Sequence, residues 1–127
     1  MISHINGKIV EPSEYPVNPA GFIIHSAIHN AREDAHCVMH THTVAGMAVA
    51  ALEKPIKNID FSGMVFADKI GYHDFEGVTV RKEECKRLAN NLSDKDVMIL
   101  RNHGLISVGS TIAHAFIRMH DLERSCE

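Results

Sequence analysis

The stretch that decides the fold is Ala35-His36-Cys37-Val38-Met39-His40-Thr41-His42-Thr43. Its first part is apolar and it ends at Thr43, which predicts a short β-strand over residues 35–42. Side chains two residues apart on a strand point to the same face of the sheet, so His40 and His42 converge on one point. Two convergent imidazoles are typical of a transition-metal site.

A third histidine lies in the turn Asn102-His103-Gly104, between the apolar runs 97–100 and 105–108. Three neutral imidazoles that leave a fourth position open describe a catalytic zinc site rather than a closed structural one. The sequence therefore predicts that His40, His42 and His103 bind Zn²⁺ or another divalent transition metal.

Composition narrows the class of protein. The 127 residues, 45% of them apolar, are predicted to form one domain over residues 1–127. A net charge of −3 with interspersed charges leaves no basic stripe, which argues against a nucleic-acid partner. No apolar stretch reaches the ~20 residues that span a bilayer, so we expect no membrane partner and a cytoplasmic location. The three cysteines are widely spaced without a C-x-x-C pair, which favours reduced thiols.

The chain on either side of the histidine strand shows signals for a hairpin and two helices. Asn6-Gly7 between apolar residues predicts a tight hairpin at an edge. Asn18 and Pro19 fit a helix N-cap and first turn, and helical spacing then continues to about residue 32. Thr43 is expected to cap a second helix over residues 44–52.

The second half of the chain predicts the rest of an α/β layered domain. Residues 56–78 are less regular, with strand-like pieces at 59–61 and 69–73. A helix over residues 81–92 and strands over 97–100 and 105–108 should follow, the first of these strands buried on both faces. The last helix is predicted to be amphipathic, with these residues on one side: Ile112, Phe116, Met119 and Leu122.

Three motifs spread along the chain carry a family resemblance. They are Gly21-Phe22-Ile23-Ile24-His25-Ser26-Ala27-Ile28, His40-Thr41-His42-Thr43 and Leu100-Arg101-Asn102-His103-Gly104-Leu105-Ile106. Together they resemble the class II aldolase/adducin family over almost the whole chain. The stretch from Asn18 to Ile28 is more similar to the adducin-like branch than to the sugar-phosphate aldolases.

The resemblance implies a central, mostly antiparallel sheet flanked by helices. It also implies a divalent metal, usually zinc, held by His40, His42 and His103. In catalytic members of the family this metal polarises the oxygens of a ketose or its enediolate during C–C cleavage. Family members are commonly symmetric tetramers, so the resemblance implies a homo-oligomer.

The chain departs from the family pattern at Gly21, where the aldolases carry a glutamate that serves as the base. General acid–base help of this kind is worth ~10²–10⁴ in rate, so we expect that its loss still permits metal binding but prevents efficient aldol cleavage. The family's phosphate-binding loop has no counterpart before Asn18, and the chain ends at Glu127 without the tail that carries a catalytic tyrosine in some aldolases. We therefore expect a fragment of a longer domain or a shortened family member.

Structural roles are predicted for the other polar residues. His25 and His29 lie four residues apart on one helix but lack an acidic partner, so we expect partly buried or surface histidines. Asn102 is expected to form its turn, because asparagine tolerates left-handed backbone geometry. Glu83-Glu84 is interpreted as a solvated helix face. A less favoured replacement for the missing base is one of Asp60, Asp68 and Asp74.

Two hypotheses for function follow from these patterns. The first is a metal-dependent lyase that acts on a small hydroxy-carbonyl or sugar-derived substrate by stabilising an enolate. The second is a catalytically inactive, adducin-like module for self-association or for binding a protein partner. Gly21 favours the second hypothesis, and the intact histidine set favours at least metal binding.

Overall fold

The computed structural model describes residues 2–3, 7–53, 56, 64–66, 68–77 and 82–127. The strands within these ranges are β1 (Ile2–Ser3), β2 (Ile9–Glu11), β3 (Cys37–Thr41), β4 (Ile70–His73), β5 (Val97–Leu100) and β6 (Gly104–Gly109). The helices are α1 (Pro19–Ala31), α2 (Val44–Ala50), α3 (Lys82–Leu92) and α4 (Ile112–Cys126). The predicted strand at 59–61 lies outside the described residues, and the other predicted elements are present within a few residues of their expected bounds.

The central sheet has four strands in the order β3-β6-β5-β4. β3 pairs with β6, and β6 with β5, in antiparallel fashion, whereas β4 and β5 run parallel. The prediction of a mostly antiparallel sheet is therefore confirmed, but the sheet is mixed. In the parallel pair, the carboxyl ends of β4 and β5 meet at the same edge of the sheet.

Helices cover both faces of this sheet, so the domain has three layers. One face buries Met98, Leu100 and Ile106 against α1 and α3. The other face buries Val97, Ile99 and Leu105 together with side chains of α2 and α4. Alternate residues of β5 thus enter different cores, which explains why all four residues of this strand are apolar.

Both predicted helix caps are present. The Asn18 side-chain oxygen accepts hydrogen bonds from the backbone N–H groups of Ala20 and Gly21, at 3.0 and 3.3 Å. The Thr43 hydroxyl accepts from the backbone N–H of Gly46 at 3.1 Å. These bonds satisfy donors that a helix leaves unpaired at its start, and they set the points at which α1 and α2 begin.

The N-terminal hairpin is present as a separate two-stranded sheet rather than at an edge of the central one. Ile2 is opposite Glu11 and Ser3 is opposite Ile9, in antiparallel register. Gly7 has a φ of +86°, which glycine adopts without strain. The predicted turn residue Asn6 lies outside the described residues.

The prediction for the last helix was wrong in part. Met119 and Leu122 are buried, but Ile112 and Phe116 are 73% and 60% exposed. The buried stripe of α4 consists of Ala115, Met119 and Leu122, because this stripe is the one that faces the sheet. In the part of the chain that the structure describes, no helix combines the length and apolar character needed to cross a membrane.

Candidate functional site

The fold brings the three predicted ligands together. The ring centroids of His40, His42 and His103 lie 4.4 to 4.9 Å from one another. One nitrogen from each ring can be chosen so that all three lie within 4.8 Å of one another. In a tetrahedral site with Zn–N distances near 2.0–2.1 Å the ligating nitrogens lie about 3.3 Å apart, so small side-chain movements suffice to surround a metal ion.

Strand pairing places these histidines. His40 lies opposite Ile106 in the β3–β6 ladder, and the turn that carries His103 leads directly into β6. Asn102 has a φ of +54° in this turn, which confirms its predicted role. The backbone N–H of Asn102 also donates to the carbonyl of Ala50 at 2.9 Å, which ties the turn to the end of α2.

Gly104 allows the turn to lie against β3. A Cβ atom at this position would lie 2.3 Å from the backbone oxygen of Thr41 and 2.8 Å from Cδ2 of His42. Both distances are shorter than van der Waals contact, so any side chain here would push β3 and the turn apart. The glycine therefore serves the close approach of the three imidazoles.

The chemistry of the donor set fits a divalent metal. Nδ1 of His40 donates to the carbonyl of Leu105 at 2.8 Å, which leaves Nε2 of this neutral ring with its lone pair free to bind a metal. Burial lowers the pKa of His40, and it lowers the pKa of His103, with further lowering by the neighbouring histidines. Neutral imidazole is the form that binds metals, so the site favours the ligating state.

A carboxylate on the last helix holds the chain on both sides of His42. The Thr41 hydroxyl donates to Oε1 of Glu123, and the Thr43 hydroxyl donates to Oε2, each at 2.5 Å. The two threonines flank His42 in sequence, at the end of β3 and at the cap of α2. Sequence analysis missed Glu123, because no local pattern connects it with a strand about 80 residues earlier.

A narrow cleft lies beside His103, and we call it the His103 cleft. Its lining residues are Ile24, His73, Asp74, Phe75, Glu76, Gly77, Glu84, Leu88, Leu100, Arg101 and His103. The Phe75 ring approaches His103 with a centroid separation of 6.4 Å. Because β4 and β5 are parallel, His73 at the end of β4 and the turn after β5 reach this cleft from the same edge of the sheet.

The burial of Glu84 in the His103 cleft contradicts the interpretation of Glu83-Glu84 as a solvated helix face. Glu83 is exposed, but Glu84 is only 3% exposed, and Oε1 of Glu84 lies 3.6 Å from Nε2 of the buried His73. The positions of Glu84 and the leucines that follow it in the sequence predict this burial. Glu84, Leu88 and Leu92 recur every four residues, so the carboxylate shares a helix face with core leucines.

His25 and His29 have the structural roles that were predicted, and the aspartates considered as replacement bases have contacts that do not favour a catalytic role. The His29 ring contacts the carbonyl of Ala35 through Nδ1 at 2.6 Å, and burial lowers the pKa of His25. The Asp74 side chain is 87% exposed and forms an ion pair with Arg101 at 3.2 Å. The Asp68 backbone carbonyl accepts from Lys95. Asp60 lies outside the described residues.

The motifs, the fold and the histidine cluster agree with a comparison against known families. A family model described as "Class II Aldolase and Adducin N-terminal domain" matches residues 1–127. This chain belongs to the class II aldolase and adducin family. The resemblance inferred from the three sequence motifs is thereby confirmed.

Individual members of the class II aldolase and adducin family show both of its branches. Alpha-adducin of Mus musculus is 42% identical over 127 residues, covering 98% of this chain and 17% of the adducin. The crystal structure of an aldolase II superfamily protein from Pseudomonas syringae is 43% identical with a TM-score of 0.93, covering 98% of this chain and 50% of that one. L-fuculose 1-phosphate aldolase from Glaciozyma antarctica is 35% identical with a TM-score of 0.75, covering 87% and 41%.

The matched region is only part of each of these family members. The chain spans about half the length of the bacterial class 2 aldolase relatives that it matches, and 17% of the adducins. The comparison therefore establishes the family for residues 1–127.

Proposed function

We propose that this chain is the metal-binding part of a class II aldolase-type lyase that acts on a small hydroxy-carbonyl or sugar-derived substrate. The observation that carries the proposal is the convergence of His40, His42 and His103, with burial favouring the neutral form of His40 and His103. The similarity to an L-fuculose 1-phosphate aldolase at 35% identity supports the substrate class.

Each part of the site has a distinct task in this proposal. The three imidazoles would hold Zn²⁺ or another divalent metal and leave a coordination position open. A metal bound there supplies Lewis-acid polarisation of the substrate's carbonyl oxygen. The Leu105 carbonyl orients His40, and Glu123 holds the chain around His42, so that the rings are positioned before substrate binds.

Elemental analysis of the purified chain tests the proposal. We expect about one divalent metal per chain in the parent protein and a loss of bound metal in His42→Ala and in His103→Ala, because two imidazoles bind a metal much more weakly than three. His114→Ala is the matched control, since this exposed histidine lies on the last helix and should leave the metal content unchanged. A parent protein without metal, after incubation with excess zinc and removal of free ions, contradicts the proposal.

The second candidate function is an adducin-like module for self-association. Gly21 lacks the side chain of the family's base, and the last helix exposes large apolar residues. Ile112 and Phe116 are four residues apart and share one helix face, and Ile117 next to them is also exposed. Exposed apolar groups of this kind are typical of interfaces between subunits, which favours a homo-oligomer.

Sedimentation velocity tests this second function. We expect the parent chain to sediment as an oligomer and Phe116→Ser combined with Ile117→Ser to shift it towards the monomer, because two apolar contacts are lost. Ile9→Ser is the control, since Ile9 is equally exposed but lies on the N-terminal hairpin. If the parent chain is a monomer at micromolar concentration, self-association through this helix is wrong.

A further inference from the structure

The parallel pair of strands places a second polar group next to the histidine cluster. His73 is the last residue of β4 and is paired with Leu100, the last residue of β5. The turn that follows β5 carries His103. Ligands commonly bind at the carboxyl ends of parallel strands, and here this edge opens into the His103 cleft.

The hydrogen bonds of His73 define which of its nitrogens carries the proton. Its side chain is almost fully buried, and Nδ1 lies 3.0 Å from the side-chain nitrogen of Asn91, which can only donate. Nδ1 is therefore the acceptor, and the proton is on Nε2. Among the described residues Nε2 has no hydrogen-bond partner, and Oε1 of Glu84 faces it at 3.6 Å.

Glu84 lies at the start of α3, next to the cleft. It lies in the first turn of α3, where the positive end of the helix dipole stabilises a carboxylate. Nε2–H of His73 faces the same carboxylate. Buried carboxylates are rare, and a buried carboxylate that lines a cleft beside possible metal ligands is a candidate for catalysis.

We propose that Glu84 is the proton acceptor of the reaction, in the role for which Gly21 provides no side chain, and that His73 is a positioning residue that orients the carboxylate. This inference rests on the proposed lyase function. In the proton-transfer step a C–H bond next to the substrate carbonyl breaks and its electron pair stays on the substrate as an enolate. The proton forms an O–H bond with a carboxylate oxygen of Glu84, and the reverse step returns it to carbon.

The other carboxylates of the His103 cleft are less suitable. Asp74 is mostly exposed and paired with Arg101, and Glu76 forms an ion pair with Arg87. A base that is solvated or held by a guanidinium is a weaker proton acceptor than a buried carboxylate. Of the three carboxylates that line the cleft, Glu84 is the buried one, and Nε2 of His73 faces it.

Deuterium exchange tests the inference without knowledge of the natural substrate. Zinc-loaded protein is incubated in D₂O with dihydroxyacetone or dihydroxyacetone phosphate, and loss of the methylene proton signal is followed by NMR. We expect exchange in the parent protein and in Glu83→Gln, and exchange slower by ~10²–10⁴ in Glu84→Gln, because a positioned base is removed. Glu83→Gln is matched, since Glu83 is the exposed neighbour in the same helical turn.

A binding measurement provides a readout that does not depend on turnover. Glycolohydroxamate mimics an enediolate and gives up a proton when it ligates a metal. Calorimetry in buffers of different ionisation enthalpy counts the protons released to solvent. We expect about one more proton released per site with Glu84→Gln than with the parent protein, because the parent retains that proton on the Glu84 carboxylate.

The role of His73 is tested with His73→Phe, which keeps a ring and removes the Nε2 donor. We expect slower exchange at unchanged zinc content and unchanged affinity for the probe, because the carboxylate loses the N–H group that faces it at 3.6 Å. Glu84→Asp keeps a carboxylate and should retain part of the exchange, which guards against a folding defect in Glu84→Gln.

The outcomes separate the inference from the function on which it rests. If the parent protein binds no zinc, the lyase proposal fails. If it binds zinc but exchanges neither probe, or if Glu84→Gln matches the parent in exchange and in proton release, Glu84 is not the base and the metal site stands.

Discussion

Gly104→Ala is expected to separate the three histidines and to lower the free energy of unfolding by about 1–3 kcal/mol, the usual cost of overpacking. The added Cβ would lie 2.3 Å from the backbone oxygen of Thr41, and a backbone atom of a paired strand cannot rotate away as a side chain can. The first pairs of the β3–β6 ladder must therefore open at the end that carries His42. Denaturant unfolding measures the stability loss, and elemental analysis measures the accompanying loss of metal.

The matched control for Gly104→Ala is the same substitution at Gly21. A Cβ there would meet only the Asn18 side chain, at 3.9 Å, which is ordinary contact. Because glycine inside a helix costs roughly 0.5–1 kcal/mol relative to alanine, Gly21→Ala should stabilise the protein and leave metal binding unchanged. Equal stability and equal metal content in Gly104→Ala and the parent protein would show that the turn is not held by close packing against β3.

Glu123→Ala is expected to weaken zinc binding by about tenfold, the lower end of the effect found for residues that orient metal ligands. Its two carboxylate oxygens accept from the hydroxyls of Thr41 and Thr43, on either side of His42. Without them the junction between β3 and α2 loses both bonds to the last helix, and His42 must be ordered when the metal binds. Competition with a chromophoric chelator measures the change in affinity.

Glu123→Gln should lie between the alanine variant and the parent protein. The amide retains one oxygen acceptor for a hydroxyl and offers an N–H donor in place of the other. Glu127→Ala is the control, because Glu127 ends the same helix and pairs with Arg124 rather than with either threonine. An unchanged affinity in Glu123→Ala would mean that strand pairing alone orients His42.

The histidine cluster was accessible from the sequence because each of its parts has a local signal. Side chains two residues apart, such as those of His40 and His42, share a face of any strand. Asn102 with Gly104 two residues later indicates a turn wherever this pattern occurs. The caps Asn18 and Thr43 are local in the same sense, since each bonds backbone donors two or three residues away.

The neighbours of the cluster were not accessible in this way. Glu123 reaches Thr41 across 82 positions in the chain, and His73 faces Glu84 from a different element of the fold. The burial of Glu84 was misread because two adjacent glutamates followed by basic residues resemble a solvated face. The spacing from Glu84 to Leu88 and Leu92 indicates a buried helix face instead, because these residues recur every four positions.

The sequence by itself determined the α/β class, most of the elements, the helix caps and the three imidazoles, because these depend on periodicity and on hydrogen bonds between close neighbours. Only the tertiary structure decided that β4 runs parallel to β5, that Ile112 and Phe116 remain exposed, and that Glu84 is buried beside His103. These features depend on which strand edge and which helix face are covered. That coverage is settled by packing between segments far apart in the chain, for which local spacing carries little information.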